Sequence, residues 1–153
     1  MQDLEKIKYL GKEKIILCIG TCNVIGDSIG PRVGTLLKKM DLKNTTIIGD
    51  IQNNINANNV IEIVKNYNLK DKYTIVIDSA LGNKKLVGKI FISYNKLILG
   101  KALYKNIGNI GDVSIKACVC ENLYNPIKNY YELKKVDINL IYKLTQEIIN
   151  VLK

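Results

Sequence analysis

Residues 14–40 read KIILCIGTCNVIGDSIGPRVGTLLKKM, and this stretch decides the fold class. Its first part, Lys14–Gly20, is a continuous apolar run that ends in glycine, which is typical of a strand buried on both faces of a sheet. A polar loop follows and ends at Asp27. Ser28–Met40 then has apolar residues at helical spacing, and Pro31 falls in the first turn, where no backbone donor is needed. The stretch predicts a strand, a polar loop and a helix.

The rest of the chain continues this alternation. Apolar runs predict further strands, and helical spacing predicts further helices: strands at Asn44–Gly49, Tyr73–Ile77, Leu86–Tyr94 and Val113–Val119, and helices at Asn58–Tyr67, around Lys101–Lys105 and at Asp137–Leu152. The link between the third and fourth strands is too short for a helical crossover, which predicts an antiparallel fourth strand. We therefore expect residues 1–153 to form one three-layer α/β/α domain, with a five-stranded, mixed, mostly parallel sheet.

The composition is that of a folded protein without histidine. The 153 residues are 47% hydrophobic, and 23 basic against 14 acidic residues give a net charge of +9. The absence of histidine excludes Ser-His, Cys-His and His-metal mechanisms within this chain. Arg32 is the only arginine and the lysines are scattered, which favours a solvated lysine surface over a nucleic-acid site. The net charge leaves a polyanion-binding accessory protein open as an alternative.

Four cysteines, Cys18, Cys22, Cys118 and Cys120, have the spacings C-x-x-x-C and C-x-C. We expect reduced thiols, with Cys18 and Cys118 acting as small apolar residues inside strands. A four-cysteine zinc site is the alternative, although structural zinc sites usually have C-x-x-C spacing. We predict no metal and no cofactor.

The first residues, Met1–Leu10, are charged and lack an apolar stretch. Ile15–Ile19 is too short to span a bilayer. We therefore expect a cytoplasmic protein without a membrane partner.

Acidic residues follow three of the predicted strands. Asp27, Asp50 and Asp78 should meet at the carboxyl edge of the sheet, whereas Asp112 precedes its strand and should lie at the opposite edge. On the residues alone, Asp27 is favoured as the N-cap of the helix that begins at Ser28. Asp50 lies in an Asn-rich loop and is most simply a turn residue. Asp78 follows an apolar strand, and burial there should raise its pKa.

Two carboxyl groups in one crevice suit two kinds of chemistry. An ionised carboxylate activates a water while a protonated carboxyl donates its proton, which is the arrangement of an acid–base hydrolase. The same pair could hold a divalent metal through its oxygens. The spacing leaves both open. Nucleotide binding is not favoured, because the glycines around the first loop do not form a G-x-G-x-x-G motif.

Several segments together resemble the YyaC-type sporulation proteins. They are residues 18–34 (CIGTCNVIGDSIGPRVG), 76–82 (VIDSALG), 87–89 (VGK) and 107–115 (IGNIGDVSI), so that the resemblance covers the chain from about Ile15 to Val119. That family is similar to the spore germination protease and to the hydrogenase maturation endopeptidases. Those proteins share a three-layer α/β/α fold with a five-stranded mixed sheet and an antiparallel fourth strand. The resemblance implies the same fold here.

The resemblance also implies a catalytic pair and a biological setting. Asp27 in GDSIGP and Asp78 in VIDSA match the essential aspartates of the germination protease, which implies an aspartate-dependent peptidase. The maturation endopeptidases bind nickel through two matching carboxylates and a histidine; without histidine, this chain should be metal-independent. A sporulation-associated protein is implied, in the cytoplasm of the sporulating cell or forespore, with a protein or peptide as substrate or partner. The alternative is a catalytically inactive peptide- or protein-binding regulator of sporulation with the same fold.

Overall fold

The computed structural model describes residues 13–69, 72–94, 97–98 and 109–153. Its strands are β1 (Lys14–Cys18), β2 (Thr45–Ile48), β3 (Tyr73–Gly82), β4 (Ile90–Ser93), β5 (Leu97–Ile98), β6 (Asn109–Ile110) and β7 (Val113–Glu121). Its α-helices are α1 (Ile29–Lys38), α2 (Val60–Asn66), α3 (Pro126–Lys135) and α4 (Ile138–Leu152). Two 3-10 turns, Ile25–Asp27 and Lys84–Leu86, precede α1 and β4. The helix predicted around Lys101–Lys105 lies outside the described residues.

The central sheet has five strands in the order β2-β1-β3-β7-β4. The pairs β2–β1, β1–β3 and β3–β7 are parallel, and β4 runs antiparallel to β7. This confirms the predicted mixed, mostly parallel sheet and the antiparallel fourth strand. A separate antiparallel pair, β5–β6, lies outside the main sheet.

The two faces of the sheet bury two separate sets of apolar side chains, because successive residues of a strand point to opposite faces. On one face, Ile16, Ile75 and Ile115 pack with side chains of α1 and α4. On the other face, Leu17 and Val76 pack with side chains of α2. Helices therefore cover both faces, which confirms the three-layer α/β/α arrangement.

Two glycines bring α1 into direct contact with the sheet. A Cβ on Gly30 would lie 2.0 Å from the carbonyl oxygen of Ile19, and a Cβ on Gly34 would lie 1.9 Å from the carbonyl oxygen of Gly49. Only glycine allows backbones to approach this closely. The helix therefore begins directly over the carboxyl ends of β1 and β2, which positions the loop before it.

Two strands, β3 and β4, differ most from their predicted bounds. β3 continues past Ile77 to Gly82, because β7 is also long and pairs with the extension, with an irregularity between Ala80 and Leu81. Asp78 therefore lies within a strand rather than at its end. Leu86, predicted as the start of the fourth strand, ends the 3-10 turn Lys84–Leu86 instead, and β4 begins at Ile90. The Asn83 side chain holds this turn by accepting a hydrogen bond from the Lys85 N–H (3.1 Å).

The helix α3 was not predicted, because its pattern lacks a buried stripe: none of its residues is buried. Its start nevertheless has a recognisable signal, since Asn125 accepts a hydrogen bond from the Lys128 N–H (3.0 Å) and Pro126 occupies the first turn. The closing helix α4 is confirmed, and Asp137 caps it by accepting from the Asn139 N–H (2.9 Å). Among the described helices, none is long and apolar enough to cross a membrane.

Candidate active site

The loop after β1 is held above β3 by backbone hydrogen bonds. The Ile19 N–H donates to the Ile77 carbonyl (2.8 Å), and the Thr21 N–H donates to the Asp27 carbonyl (2.9 Å). Gly20 between them has φ +143°, and a Cβ there would lie 2.2 Å from the same Asp27 carbonyl oxygen. Glycine is therefore required at the point where the loop folds back toward Asp27.

Asp27 does not cap α1, so the capping interpretation is wrong. It is the last residue of the 3-10 turn Ile25–Asp27, and Ser28 occupies the N-cap position. The Ser28 hydroxyl donates to the Ile25 carbonyl (2.7 Å) and makes no capping bond to the helix. The 3-10 turn delays the start of α1 to Ile29, which leaves the Asp27 carboxyl one residue too early to cap the helix.

Asp78 lies beside this loop because β3 is longer than its neighbour. β1 ends at Cys18, whose partner in β3 is Ile77, so Asp78 is the first β3 residue beyond the ladder with β1. Its Oδ1 accepts a hydrogen bond from the N–H of Ser79 (2.8 Å). The 3-10 turn that ends at Asp27 contacts β3. The structure thus places Asp27 and Asp78 on contacting elements just beyond the end of β1, where the crevice was predicted.

Both carboxyl groups have raised pKa values. Burial raises the pKa of Asp27 to about 6, against the opposing effect of a hydrogen bond from the Thr21 backbone. Burial, and then the charge of Asp27, raise the pKa of Asp78 to about 7, while the Ser79 hydrogen bond and the Lys116 charge act in the opposite direction. Because the charge of Asp27 disfavours ionisation of Asp78, Asp27 ionises first and Asp78 keeps its proton to higher pH.

The other two candidate aspartates have structural roles. Asp50 Oδ1 accepts from the N–H groups of Gln52 (2.8 Å) and Asn53 (2.7 Å), and its Oδ2 pairs with the Lys38 ammonium, which lowers the pKa of Asp50. This confirms Asp50 as a turn residue. Asp112 accepts from the Thr74 N–H (2.9 Å) near the start of β3, which is the opposite edge of the sheet, as predicted.

Three further residues at the crevice were missed by sequence reasoning. Lys116 of β7 lies directly opposite Asp78 in the register of the two strands. The Ser79 hydroxyl is buried without a hydrogen-bond partner in the described chain. The Cys22 thiol, whose pKa is raised by burial, is close enough to Asp27 and Arg32 to be affected by both charges. The strand register and the loop path reveal these neighbours; Ser79 and Cys22 lie in the quoted motifs, but the motifs gave them no role.

The described side chains do not form a four-cysteine zinc site or the histidine-containing nickel site that the resemblance implies. In the described ranges, no group of three or more His, Cys, Asp and Glu residues lies close enough to hold a metal ion. The nickel site that the resemblance implies includes a histidine beside two carboxylates, and this chain has no histidine. Cys18 and Cys118 are buried in β1 and β7, which are separated by β3, and burial raises the pKa of the Cys18 thiol to about 12. The expectation that these cysteines act as small apolar residues is confirmed.

Solved structures with a similar fold include hydrogenase maturation proteases. The protease HycI from Thermococcus kodakarensis KOD1 superposes with a TM-score of 0.53 at 16% identity, covering 98% of each chain. The protease HybD from Thermococcus kodakarensis superposes with a TM-score of 0.52 at 14% identity, covering 92% of this chain and 99% of that one. At these identities the similarity shows a shared fold.

The sequence comparisons define the family. A chain from Bacillus subtilis (strain 168), the uncharacterized protein YyaC, is 30% identical over 139 residues, which are 90% of this chain and 66% of that protein. The present chain thus spans about two thirds of the length of that relative. The model of the family described as "Protein of unknown function (DUF1256)" matches residues 2–151. The chain therefore belongs to the DUF1256 family and has the fold of the hydrogenase maturation proteases.

Proposed function

We propose that this protein is an aspartate-dependent peptidase that acts on a protein substrate, with Asp27 and Asp78 as its catalytic pair. The observation that carries the proposal is the position of two carboxyl groups on contacting elements just beyond the end of β1, where burial raises the pKa of each. Such edges are where α/β proteins bind their ligands, and strongly raised carboxyl pKa values are typical of acid–base sites. The protease-like fold supports the same reaction class.

The two pKa values assign the two roles. Asp27, with the lower pKa, is the ionised base that removes a proton from a water molecule as the water oxygen bonds to the scissile carbonyl carbon. Asp78, with the higher pKa, is the acid that donates its proton to the leaving nitrogen as the C–N bond breaks. Transfer of the proton that Asp27 received to Asp78 then returns the pair to its starting state. The reaction requires no metal.

This division of roles gives the reaction a bell-shaped pH dependence. The rate rises as Asp27 ionises through its pKa of about 6 and falls as Asp78 loses its proton through its pKa of about 7. The maximum therefore lies between these values.

The experiment uses a peptide library and detects new termini by mass spectrometry. Asp27→Asn and Asp78→Asn should each lower the cleavage rate at least about 100-fold, because each removes one half of the acid–base pair. Asp41→Asn, on the exposed turn after α1, is the matched control and should cleave like the parent. Cleavage at the parent rate by both site variants would reject the pair.

The second candidate is a peptide- or protein-binding regulator that has lost catalysis. The absence of histidine favours it, because the resemblance to the maturation endopeptidases implies a histidine beside the two carboxylates, and this chain has none. In this case the library would contain peptides that bind in isothermal titration, and no new termini would appear with the parent protein.

The biological setting is part of the proposal. We place the protein in the cytoplasm of the sporulating cell or forespore, on the basis of its resemblance to the YyaC-type sporulation proteins. A fluorescent fusion expressed from the native promoter tests this, and fluorescence confined to vegetative cells would contradict it.

A further inference from the structure

A groove runs between α1 and α4 on the outer side of the molecule. It encloses about 360 Å³, and its walls combine cationic, hydroxyl and apolar side chains, including Arg32, Leu36, Lys39, Ile51, Tyr142 and Thr145. We refer to it as the α1–α4 groove. It is separate from Asp27 and Asp78, neither of which lines it.

Arg32 is a fixed cation without an acidic partner. Its Nε donates to the Ser28 hydroxyl (3.0 Å), and its guanidinium lies 5.3 Å from the centre of the Tyr142 ring, so that both contacts hold the side chain in place. No carboxylate of the described residues forms an ion pair with it. A guanidinium held in this way presents its remaining N–H groups as a fork that matches a carboxylate.

Thr145 supplies an independent sign of a ligand. The residue is 4% exposed, and its hydroxyl has no hydrogen-bond partner in the described chain. A buried polar group without a partner is costly, and such groups in native proteins call for an explanation. Thr145 lines the α1–α4 groove, and threonine in a helix has two accessible rotamers. A ligand oxygen in the groove would give its hydroxyl a partner.

The walls of the groove favour a carboxylate on an apolar chain over a phosphate or a base. A phosphate is usually held by free backbone N–H groups, and few are available here. The lining residues of α1 and α4 have their N–H groups within helices. The Ile51 N–H already donates to the Thr35 hydroxyl (3.0 Å). The Arg32 guanidinium covers the ring of Tyr142, which would otherwise stack on a base. Leu36 and Ile51 are exposed by 37% and 45%. They would pack against apolar side chains of the ligand that lie next to its carboxylate.

We propose that the α1–α4 groove binds an acidic peptide segment, with a glutamate or aspartate side chain on Arg32 and Thr145, and its apolar neighbours on Leu36 and Ile51. Lys39, which forms no ion pair with a described residue, adds to the positive potential of the groove. Arg32 also connects the groove with the aspartate crevice, because its charge reaches the Cys22 thiol, which is also affected by Asp27. The inference names the substrate class of the peptidase and in that respect rests on the proposed function.

Binding is measured without cleavage, by fluorescence anisotropy on the Asp78→Asn protein. The probes are a blocked, fluorescein-labelled peptide Ala-Leu-Glu-Leu-Ala and the same peptide with Gln in place of Glu. The Glu peptide should bind about tenfold more tightly, because it adds charge-assisted hydrogen bonds. Arg32→Gln should abolish this preference. Lys65→Gln, which removes one exposed charge on α2 across the sheet, is the matched control and should leave both affinities unchanged.

Thr145→Val provides a test that does not depend on removing a charge. Valine has the same shape without the unpaired hydroxyl, so the variant should be at least as stable as the parent yet bind the Glu peptide several-fold more weakly. If Arg32→Gln fails to fold by circular dichroism, this variant decides the question.

Three results would overturn the inference. The first is equal affinity for both peptides, and the second is unchanged binding in Thr145→Val. The third is displacement of the Glu peptide by duplex DNA with a steep salt dependence, which would indicate a polyanion site.

The two proposals can fail separately. Peptide binding with no cleavage of the library by the parent protein would reject the peptidase and retain the groove. Cleavage of the library with equal affinity for the two peptides would reject only the groove.

Discussion

Asp27 and Asp78 have the same side chain, and their surroundings give them different chemistry. Asp27 lies on a 3-10 turn and keeps a hydrogen bond from the backbone of Thr21, whereas Asp78 lies within β3 and carries the additional effect of the Asp27 charge. Because the second carboxyl ionises only after the first, Asp78 keeps its proton to higher pH. This difference is what an acid and a base at one site require.

The raised pKa of Asp78 predicts a pH-dependent change in stability for Asp78→Asn. The folded-state pKa of about 7 lies above the ordinary 3.8, so ionisation of Asp78 destabilises the fold, and this cost grows as the pH rises from 3.8 to 7. Asparagine removes the cost and still accepts from the Ser79 N–H. The variant should gain on the order of 1 to 2 kcal/mol over the parent between about pH 5 and pH 8, less than the full pKa shift because the side chain is partly exposed.

Urea unfolding of both proteins at the two pH values measures this gain. Asp41→Asn is the control, and its stability relative to the parent should stay constant. An Asp78→Asn variant whose advantage does not grow with pH would show that Asp78 ionises normally, which would remove the basis for its role as the acid. The measurement also distinguishes lost catalysis from lost folding.

At the scale of the element, the close contact between α1 and the sheet is what positions the Asp27 loop. Gly30→Ala places a methyl group 2.0 Å from the Ile19 carbonyl oxygen, so the helix must move away from β1. We expect a loss of about 2 to 4 kcal/mol in the free energy of unfolding, although alanine is the better helix former by about 1 kcal/mol. Chemical denaturation measures the loss.

A milder glycine substitution serves as the comparison for Gly30→Ala. A Cβ on Gly82 in β3 would meet only side-chain atoms, the nearest being the Cys118 sulfur at 3.0 Å. Gly82→Ala should therefore cost clearly less than Gly30→Ala, since side chains can adjust where a backbone carbonyl cannot. If Gly30→Ala instead stabilised the protein, α1 would not be in direct contact with the strand end.

The helix α3 also contributes to the position of the loop. It contacts the 3-10 turn Ile25–Asp27, and a Cβ on Gly26 would lie 2.8 Å from the backbone oxygen and the side chain of Leu133. The turn therefore contacts both α3 and β3, and its Gly26 is buried. These contacts account for the burial that raises the pKa of Asp27, and one of them comes from a helix that the periodic pattern did not indicate.

At the scale of the whole molecule, α4 closes the larger of the two cores. Ile141, Leu144 and Ile148 of α4 are each 0% exposed and pack with α1 and the sheet. Leu144→Ala should lower the free energy of unfolding by about 2 to 5 kcal/mol, because it leaves a cavity in a close-packed interior. Since a typical domain has about 5 to 15 kcal/mol in total, the midpoint of urea unfolding should fall strongly.

Lys143→Ala is the matched control, one residue away on the exposed side of α4. Its ion pair with Glu147, at 3.5 Å, is exposed to solvent and contributes less than about 1 kcal/mol. Equal losses in the two variants would mean that α4 does not close the core.

The general outline of the fold could be predicted because it rests on local patterns. The run KIILC and the spacing of Ile29, Val33 and Leu37 are determined by which faces must be buried, so β1 and α1 could be inferred from neighbouring residues alone. The exact end of β3 could not, because its last residues are ordered by pairing with β7, which is more than 30 positions away. For the same reason Lys116 could not be assigned to the crevice.

By itself, the sequence determined the class of the fold and the antiparallel fourth strand, because apolar periodicity and link length are local properties. The positions of strand ends gave three candidate aspartates, and the resemblance to the germination protease selected Asp27 and Asp78 among them as a pair. Only the tertiary structure decided that Asp27 does not cap α1, that Asp78 lies inside β3, and that the two groups share their electrostatic surroundings. The physical reason is that burial and charge coupling depend on distances between residues far apart in the chain, which are set when α1, β1 and β3 pack together.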